Sequence, residues 1–294
     1  MSWLIVGTVP EKNVPLLWNT YTLQGEYLRI DNLQIPVNRG TPALLAAMFL
    51  AGQVLGLEPV QTVLAGDIGT GEGSRAIYDA LASDTDHCPR GVTFHYLMPD
   101  IQGHNAVLWN LEKRSPVPLL VADAGFMYAA KMSGFATHYD LFTPDAGEMA
   151  FLADEKAPHP FYTRGFLLQE EERVPELIHA AYAQENAARH LLVKGATDSV
   201  VAHGSLVAHI TQPSTPTMEP IGGTGDTLTG LVSALLASGT PMIQACHCAA
   251  LANRYLGVLA KPTPATSVVE LLPFLPQALE HALRTAPAYD VSAT

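Results

Sequence analysis

The sequence predicts an α/β protein with a central, mostly parallel sheet flanked by helices and an antiparallel hairpin at one edge. Short apolar runs of the kind buried on both faces of a sheet recur along the chain, and helical patterns separate most of them. One further pair of alternating runs is joined by a two-residue turn, which places that pair at an antiparallel edge.

Taken in order, Trp3 to Val9 reads as a strand, because the N-terminus lacks the basic segment and cleavage site of an export signal. The apolar stretch from Thr41, TPALLAAMFLAGQVLGL, is about 17 residues long, contains Gln53, and falls short of the roughly 20 residues of a bilayer span. It reads as a buried helix with Thr41 as N-cap and Pro42 at the first helical position. QTVLAG from Gln61 reads as a strand that runs through a glycine-rich turn into a helix, SRAIYDALAS. Further strands are VTFHYL from Val92, PLLVAD from Pro118, DLFTP from Asp140 and HLLVKG from His190, with a helix VPELIHAAYAQENAAR before the last. In SVVAHGSLVAHI the hairpin turns at His203 and Gly204. After Gly225, Leu228, Leu231, Val232, Leu235 and Leu236 recur at helical spacing, so one face of that helix belongs to the core. Residues 153–165 read as a long exposed loop, either plain surface or a lid over a site. No repeat or low-complexity linker interrupts the chain, so residues 1–294 are expected to form one domain.

Composition narrows the function. Sixteen basic against 28 acidic residues give a net charge of −12, a field that repels nucleic acid and anionic membranes, so neither is expected as a partner. Three cysteines cannot form a disulfide framework, and a reducing cytoplasm is expected. Cys246, His247 and Cys248 lack zinc-knuckle spacing, and the two thiols read as buried helix positions rather than part of a metal site.

In an open α/β sheet the ligand crevice lies at the carboxyl ends of the strands, where four stretches stand out. In GGTGDTLTG, Gly222, Gly223 and Gly225 let the backbone turn and approach a ligand, and the following helix offers its first amides to phosphate. Asp226 then sits inside an anion hole, either as a base that takes the proton of an attacking hydroxyl or as a helix cap. In LLVKGATDSVV a strand ends at Lys194 and Gly195, with Lys194 facing phosphate or merely solvated, and Thr197 and Asp198 lie in the turn. LFTPDAGEMAFL leaves Asp145 and Glu148 near a helix start, where carboxylates also suit the helix dipole, and LLVADAGFM ends a strand at Asp123. A fifth stretch, LAGDIGTGEGSR, lacks the lysine of a P-loop. It is either a tight structural turn or a substrate-binding loop whose amides hold an anion beside Arg75, with Asp67 and Glu72 opposing that unless they meet hydroxyls or a metal.

The order of these stretches is itself informative. DAG, TPDAGE, KGATD and GGTGD follow one another between Asp123 and Asp226, and together they resemble the ADP/ATP-dependent NAD(P)H-hydrate dehydratases of the ribokinase-like superfamily, whose strand ending in DAD is followed by TPHPGE, KGxxT and GGTGDxLTG. The likeness covers about residues 115–240. It implies the ribokinase-like fold, binding of ADP or ATP with Mg²⁺, and a homo-oligomer acting on hydrated NADH or NADPH. Residue by residue it implies nucleotide binding at Lys194, Gly195, Ala196, Thr197 and Asp198 and at the loop of Gly223, Thr224 and Gly225. It makes Asp226 the base and a substrate contact, and it puts Gly40 and Thr41 of VNRGTPALLAA, Gly103 of LMPDIQGH, Asp123, Asp145 and Glu148 near the substrate.

The departures from the pattern lie on the substrate side. Asp145 replaces the histidine of TPHPGE, Gly125 replaces the second Asp of DAD, and LMPDIQGH stands where the family has GPGLG. Three functions are therefore open: the dehydratase, a small-molecule kinase of the same superfamily that stops at the phosphorylated product, and a silent nucleotide-binding protein.

Overall fold

A computed structural model describes residues 3–155 and 173–289. Along the chain its strands are β1 (Trp3–Val9), β2 (Leu17–Thr20), β3 (Thr22–Gln24), β4 (Tyr27–Ile30), β5 (Leu33–Pro36), β6 (Gln61–Gly66), β7 (Gly91–His95), β8 (Leu119–Ala122), β9 (Leu141–Phe142), β10 (His190–Val193), β11 (Asp198–Ala202) and β12 (Ser205–Ile210). The α-helices are α1 (Thr41–Leu55), α2 (Glu72–Ser83), α3 (Ile101–Glu112), α4 (Ala124–Met132), α5 (Ala146–Ala153), α6 (Val174–Ala183), α7 (Thr224–Ala237), α8 (Met242–Ala260), α9 (Val268–Leu271) and α10 (Leu275–Thr285). The loop expected at 153–165 lies, from residue 156 onward, outside the described residues.

The chain forms two compact units, each drawn from discontinuous stretches. The first comprises residues 3–16 and 63–209 and the second residues 17–62 and 210 onward. In the first unit the strands run in the order β12-β11-β10-β9-β8-β7-β1-β6. From β1 through β7, β8 and β9 to β10 the pairs are parallel, and β10 meets β11 antiparallel with Leu192 opposite Val200. The parallel strands read as continuous apolar runs because helices cover them: Ile5, Val6, Val92, Phe94, Val121 and Leu191 are all fully or nearly fully buried. The hairpin turns where expected, since His203 and Gly204 both have positive φ (49° and 80°), the geometry that matches the twist of adjoining strands.

The second unit holds a feature not read from the sequence, the three-stranded antiparallel sheet β3-β4-β5, with Leu28 opposite Ile35. Its signal was present: Leu28, Ile30 and Ile35 alternate inward, and Gly25 and Asp31, both of positive φ, begin its two-residue turns. The rest of the described unit is largely helical. Helix α7 differs from its expected single core face, because every residue from Asp226 to Leu236 is buried. Helix α6 ends at Ala183, earlier than the periodicity suggested, and Glu185 beyond it takes a positive φ of 57°. Cys246 and Cys248 are buried in α8, as expected. Among the described residues no helix is long and apolar enough to cross a membrane.

Candidate active site

In the second unit the site grows from the contact of two helices. A Cβ at Gly230 of α7 would collide with the carbonyl of Leu44 and lie 2.9 Å from the Cβ of Ala47, so glycine alone lets α1 and α7 approach this closely. Their N-termini then meet. The Asp226 side chain, in the first turn of α7, accepts a hydrogen bond of 2.6 Å from the backbone N–H of Gly40. Gly40, not Thr41, is the N-cap of α1, which corrects the sequence expectation. Its φ of 71° belongs to the left-handed region, and its amide is turned toward Asp226, leaving Thr41 and Pro42 as the first helical residues.

Gly223 is the N-cap of α7, at φ 105°, and a Cβ there would lie 3.0 Å from that of Val268. Conformation and crowding both demand glycine. The Thr224 hydroxyl donates to the carbonyl of Ile221 (3.1 Å), and Asn253 of α8 donates to the Thr224 carbonyl (3.1 Å) while accepting from the Thr227 hydroxyl (2.8 Å). The turn Gly222–Gly225 is thus held from below, with the first amides of a 14-residue helix directed out of its N-terminus. Such a bare, fixed turn fits a phosphate.

In the first unit, four residues singled out in the sequence lie together at the strand ends. The Lys194 ammonium donates to both oxygens of Asp123, each at 3.0 Å. Asp123 also caps α4 by accepting from the Ala124 amide, and the ring of buried His95 stands 3.8 Å from it. The Lys194 amide donates to the Pro144 carbonyl (2.8 Å), which brings the start of α5 alongside. There Asp145 and Glu148 form a reciprocal capping box: Asp145 accepts from the Glu148 amide and Glu148 from the Asp145 amide, at 2.8 and 2.9 Å. Tyr128, which the sequence reading missed, donates its hydroxyl to the other oxygen of Glu148 (2.9 Å).

Three carboxylates therefore surround one ammonium. Desolvation pushes Glu148 up to about 8, with Asp145 and Asp123 adding to the rise and Lys194 opposing it. For Lys194 desolvation alone would favour the neutral amine, but Asp123, Glu148 and Asp145 outweigh it and keep the ammonium charged well above its ordinary range. Next to Lys194, Gly195 to Thr197 form an exposed turn closed by a bond from the Gly195 amide to the buried Asp198 carboxylate (3.2 Å).

The remaining sequence candidates have structural surroundings. Gly103 lies in the first turn of α3 against the ring of Tyr78, where a Cβ would come within 2.7 Å. The fifth stretch is a closed turn: Asp67 accepts from the amides of Gly69, Gly71 and Ser74 and from the Ser74 hydroxyl, at 2.8 to 3.0 Å. Two of the glycine amides that could have held an anion are thereby occupied. Burial alone would raise the Asp67 pKa, but these bonds outweigh it and hold the carboxyl below its usual range. Two departures from the family pattern lie against each other, since a Cβ at Gly125 would collide with the carbonyl of Leu97 in LMPDIQGH. Asp100 in that segment caps α3, accepting from the amides of Gln102 and Gly103.

Comparison with known proteins accords with this layout. A sequence profile described as NAD(P)H-hydrate dehydratase matches residues 98–274. An uncharacterized protein of Methanocaldococcus jannaschii is 39% identical over 226 residues, covering 76% of this chain and 93% of its own. The bifunctional NAD(P)H-hydrate repair enzyme of Hyperthermus butylicus is 35% identical over 119 residues, 38% of this chain and 22% of that longer protein. Among solved structures, the Bacillus subtilis ADP/ATP-dependent NAD(P)H-hydrate dehydratase crystallized with ATP and Mg²⁺ superposes with a TM-score of 0.57 at 13% identity, covering 95% of this chain and 89% of that one. Ribokinase of Cryptococcus neoformans with ADP also gives 0.57 at 13% identity, over 95% and 99% of the two chains. At such identities the structural likeness is one of fold, while the profile and the archaeal relative carry the kinship. With its motif series intact from Lys194 to Asp226 and its sheet and helices in the ribokinase-like arrangement, the chain belongs to the NAD(P)H-hydrate dehydratase family.

Proposed function

We propose that this protein is an ADP- or ATP-dependent NAD(P)H-hydrate dehydratase in which residues 1–294 act as one ribokinase-like domain. The family profile supports the domain reading, since residues 98–274 run through both compact units. The observation that carries the chemistry is the buried Asp226 carboxylate, fixed on the Gly40 amide within the glycine turn of α7. Asp226 takes the proton of the substrate hydroxyl as that oxygen attacks phosphorus. The first amides of α7, with Gly223, Thr224 and Gly225, stabilise charge on the phosphoryl oxygens. Lys194, Gly195, Ala196, Thr197 and Asp198 take the remainder of the nucleotide. Gly40, Thr41, Gly103, Asp123, Asp145 and Glu148 belong to the substrate side.

The nucleotide gives up its terminal phosphoryl group and leaves one phosphate shorter, and the later departure of phosphate, with loss of a proton from the adjacent ring carbon, restores the dihydronicotinamide ring. Mg²⁺ enters as the nucleotide complex, since this ion is held largely by phosphate oxygens and retained waters. In the same reading the protein is a cytoplasmic homo-oligomer that uses hydrated NADH or NADPH. Incubating it with ATP, Mg²⁺ and hydrated NADH tests the function: recovery of NADH absorbance is expected, and none at high enzyme concentration would sink it.

One observation favours a second reading. Asp145 is committed to the capping box of α5 where the family has a substrate-contacting histidine, so the second reading is a kinase of the same superfamily whose acceptor is a different alcohol. ATP consumption with an alcohol, leaving a stable phosphate ester, would then replace NADH recovery.

A further inference from the structure

Gly223 must be glycine for its backbone, but Gly222 has no positive φ, and its bareness has another correlate. A Cβ built on Gly222 would lie 3.4 Å from Cδ of Arg39, in ordinary van der Waals contact, so the arginine stem lies along the bare side of the loop. Arg39 immediately precedes Gly40, whose amide is clamped on Asp226. Its backbone is therefore held where the N-termini of α1 and α7 meet. The residue is exposed, and among the described residues no carboxylate pairs with its guanidinium.

The electrostatics call for a cation here. A phosphoryl group brought to the α7 turn would approach the buried Asp226 in a chain of net charge −12, and helix amides supply only partial positive charge. Lys194 is already engaged by both oxygens of Asp123. A guanidinium offers a planar fork of donors that matches two phosphate oxygens at once.

We propose that Arg39 grips the γ-phosphoryl group of bound ATP over the Gly222–Gly223 turn and screens it from Asp226. This rests on the nucleotide reading above. The test is calorimetric titration of Mg·ADP and of a Mg-bound non-hydrolysable ATP analogue into the wild-type protein, Arg39→Met and Arg39→Lys. Arg39→Met is expected to leave ADP affinity unchanged and to weaken the analogue by about tenfold to a hundredfold, the range of a charge-assisted contact. Arg39→Lys, which keeps the charge but loses the fork, should fall between. Equal affinities in wild type and Arg39→Met, or an equal loss of ADP and analogue, would overturn the assignment. If the wild-type protein binds ADP but not the analogue, the assignment falls alone; if it binds neither, the nucleotide reading falls with it.

Discussion

Asp226 sits in the first turn of a helix, where a carboxylate is already favoured by the dipole, yet its side chain reaches across to a second helix instead of capping its own. The proposed base is therefore not the cap of its own helix. Asp226→Asn preserves shape and is expected to keep nucleotide binding while abolishing NADH recovery; near-normal turnover in a steady-state assay would remove the base assignment. Gly223 offers a contrasting residue-level test. Gly223→Ala places a side chain at φ 105° and presses it on Val268, and should cost about 1–3 kcal/mol, read as a lower urea midpoint. Glu148 gives a pH test. Its folded value of about 8 lies above the ordinary 4.5, so the native state holds more protons between those values. The contribution is complete below about pH 4.5 and is lost as pH rises through about 8. Calorimetric melting across this window should show a shallower loss of stability in Glu148→Gln than in the wild type.

At the scale of elements, helix α7 carries the site because it is buried on every side and close to α1 along Gly230. Gly230→Ala would drive a methyl into the Leu44 carbonyl, and overpacking of this kind costs about 1–3 kcal/mol. The variant should melt earlier and also lose turnover, since separating the helices lengthens the bond between Gly40 and Asp226. Loss of stability with unchanged kcat would show that the helix crossing does not set the site geometry. The strand ends work differently. Asp123, Lys194 and the pair Asp145 and Glu148 come from three separate stretches of chain, and the parallel alignment of β8, β9 and β10 brings them into one cluster. Helix starts were legible where a residue type announces them, as with Pro42 in α1. The cap itself was misread there, because Gly40 is chosen by a contact with Asp226 that lies 186 positions away.

For the whole molecule, the acidic balance and the proposed phosphate site at the α7 turn make opposite demands, a repelling field overall and a local welcome for an anion. Nucleotide binding should therefore be specific. Mg·ATP at about a hundred times its dissociation constant should add about 2.7 kcal/mol of stability, seen as a raised melting temperature, whereas duplex DNA at low salt should produce no shift. A comparable shift with DNA would contradict the charge argument.

The chain by itself determined the layered α/β class, most parallel strands and the identity of the motif residues, because apolar runs, helical periods and turn glycines are local signals. The small sheet of β3, β4 and β5 could have been read from its alternation and its turns at Gly25 and Asp31, but its strands are only three or four residues long. Tertiary structure alone decided what each motif residue touches: Asp226 on Gly40, Lys194 on Asp123, Tyr128 on Glu148, and Arg39 along Gly222. Such contacts depend on which distant backbones come close enough to exchange hydrogen bonds, and residue type or spacing along the chain does not encode that proximity.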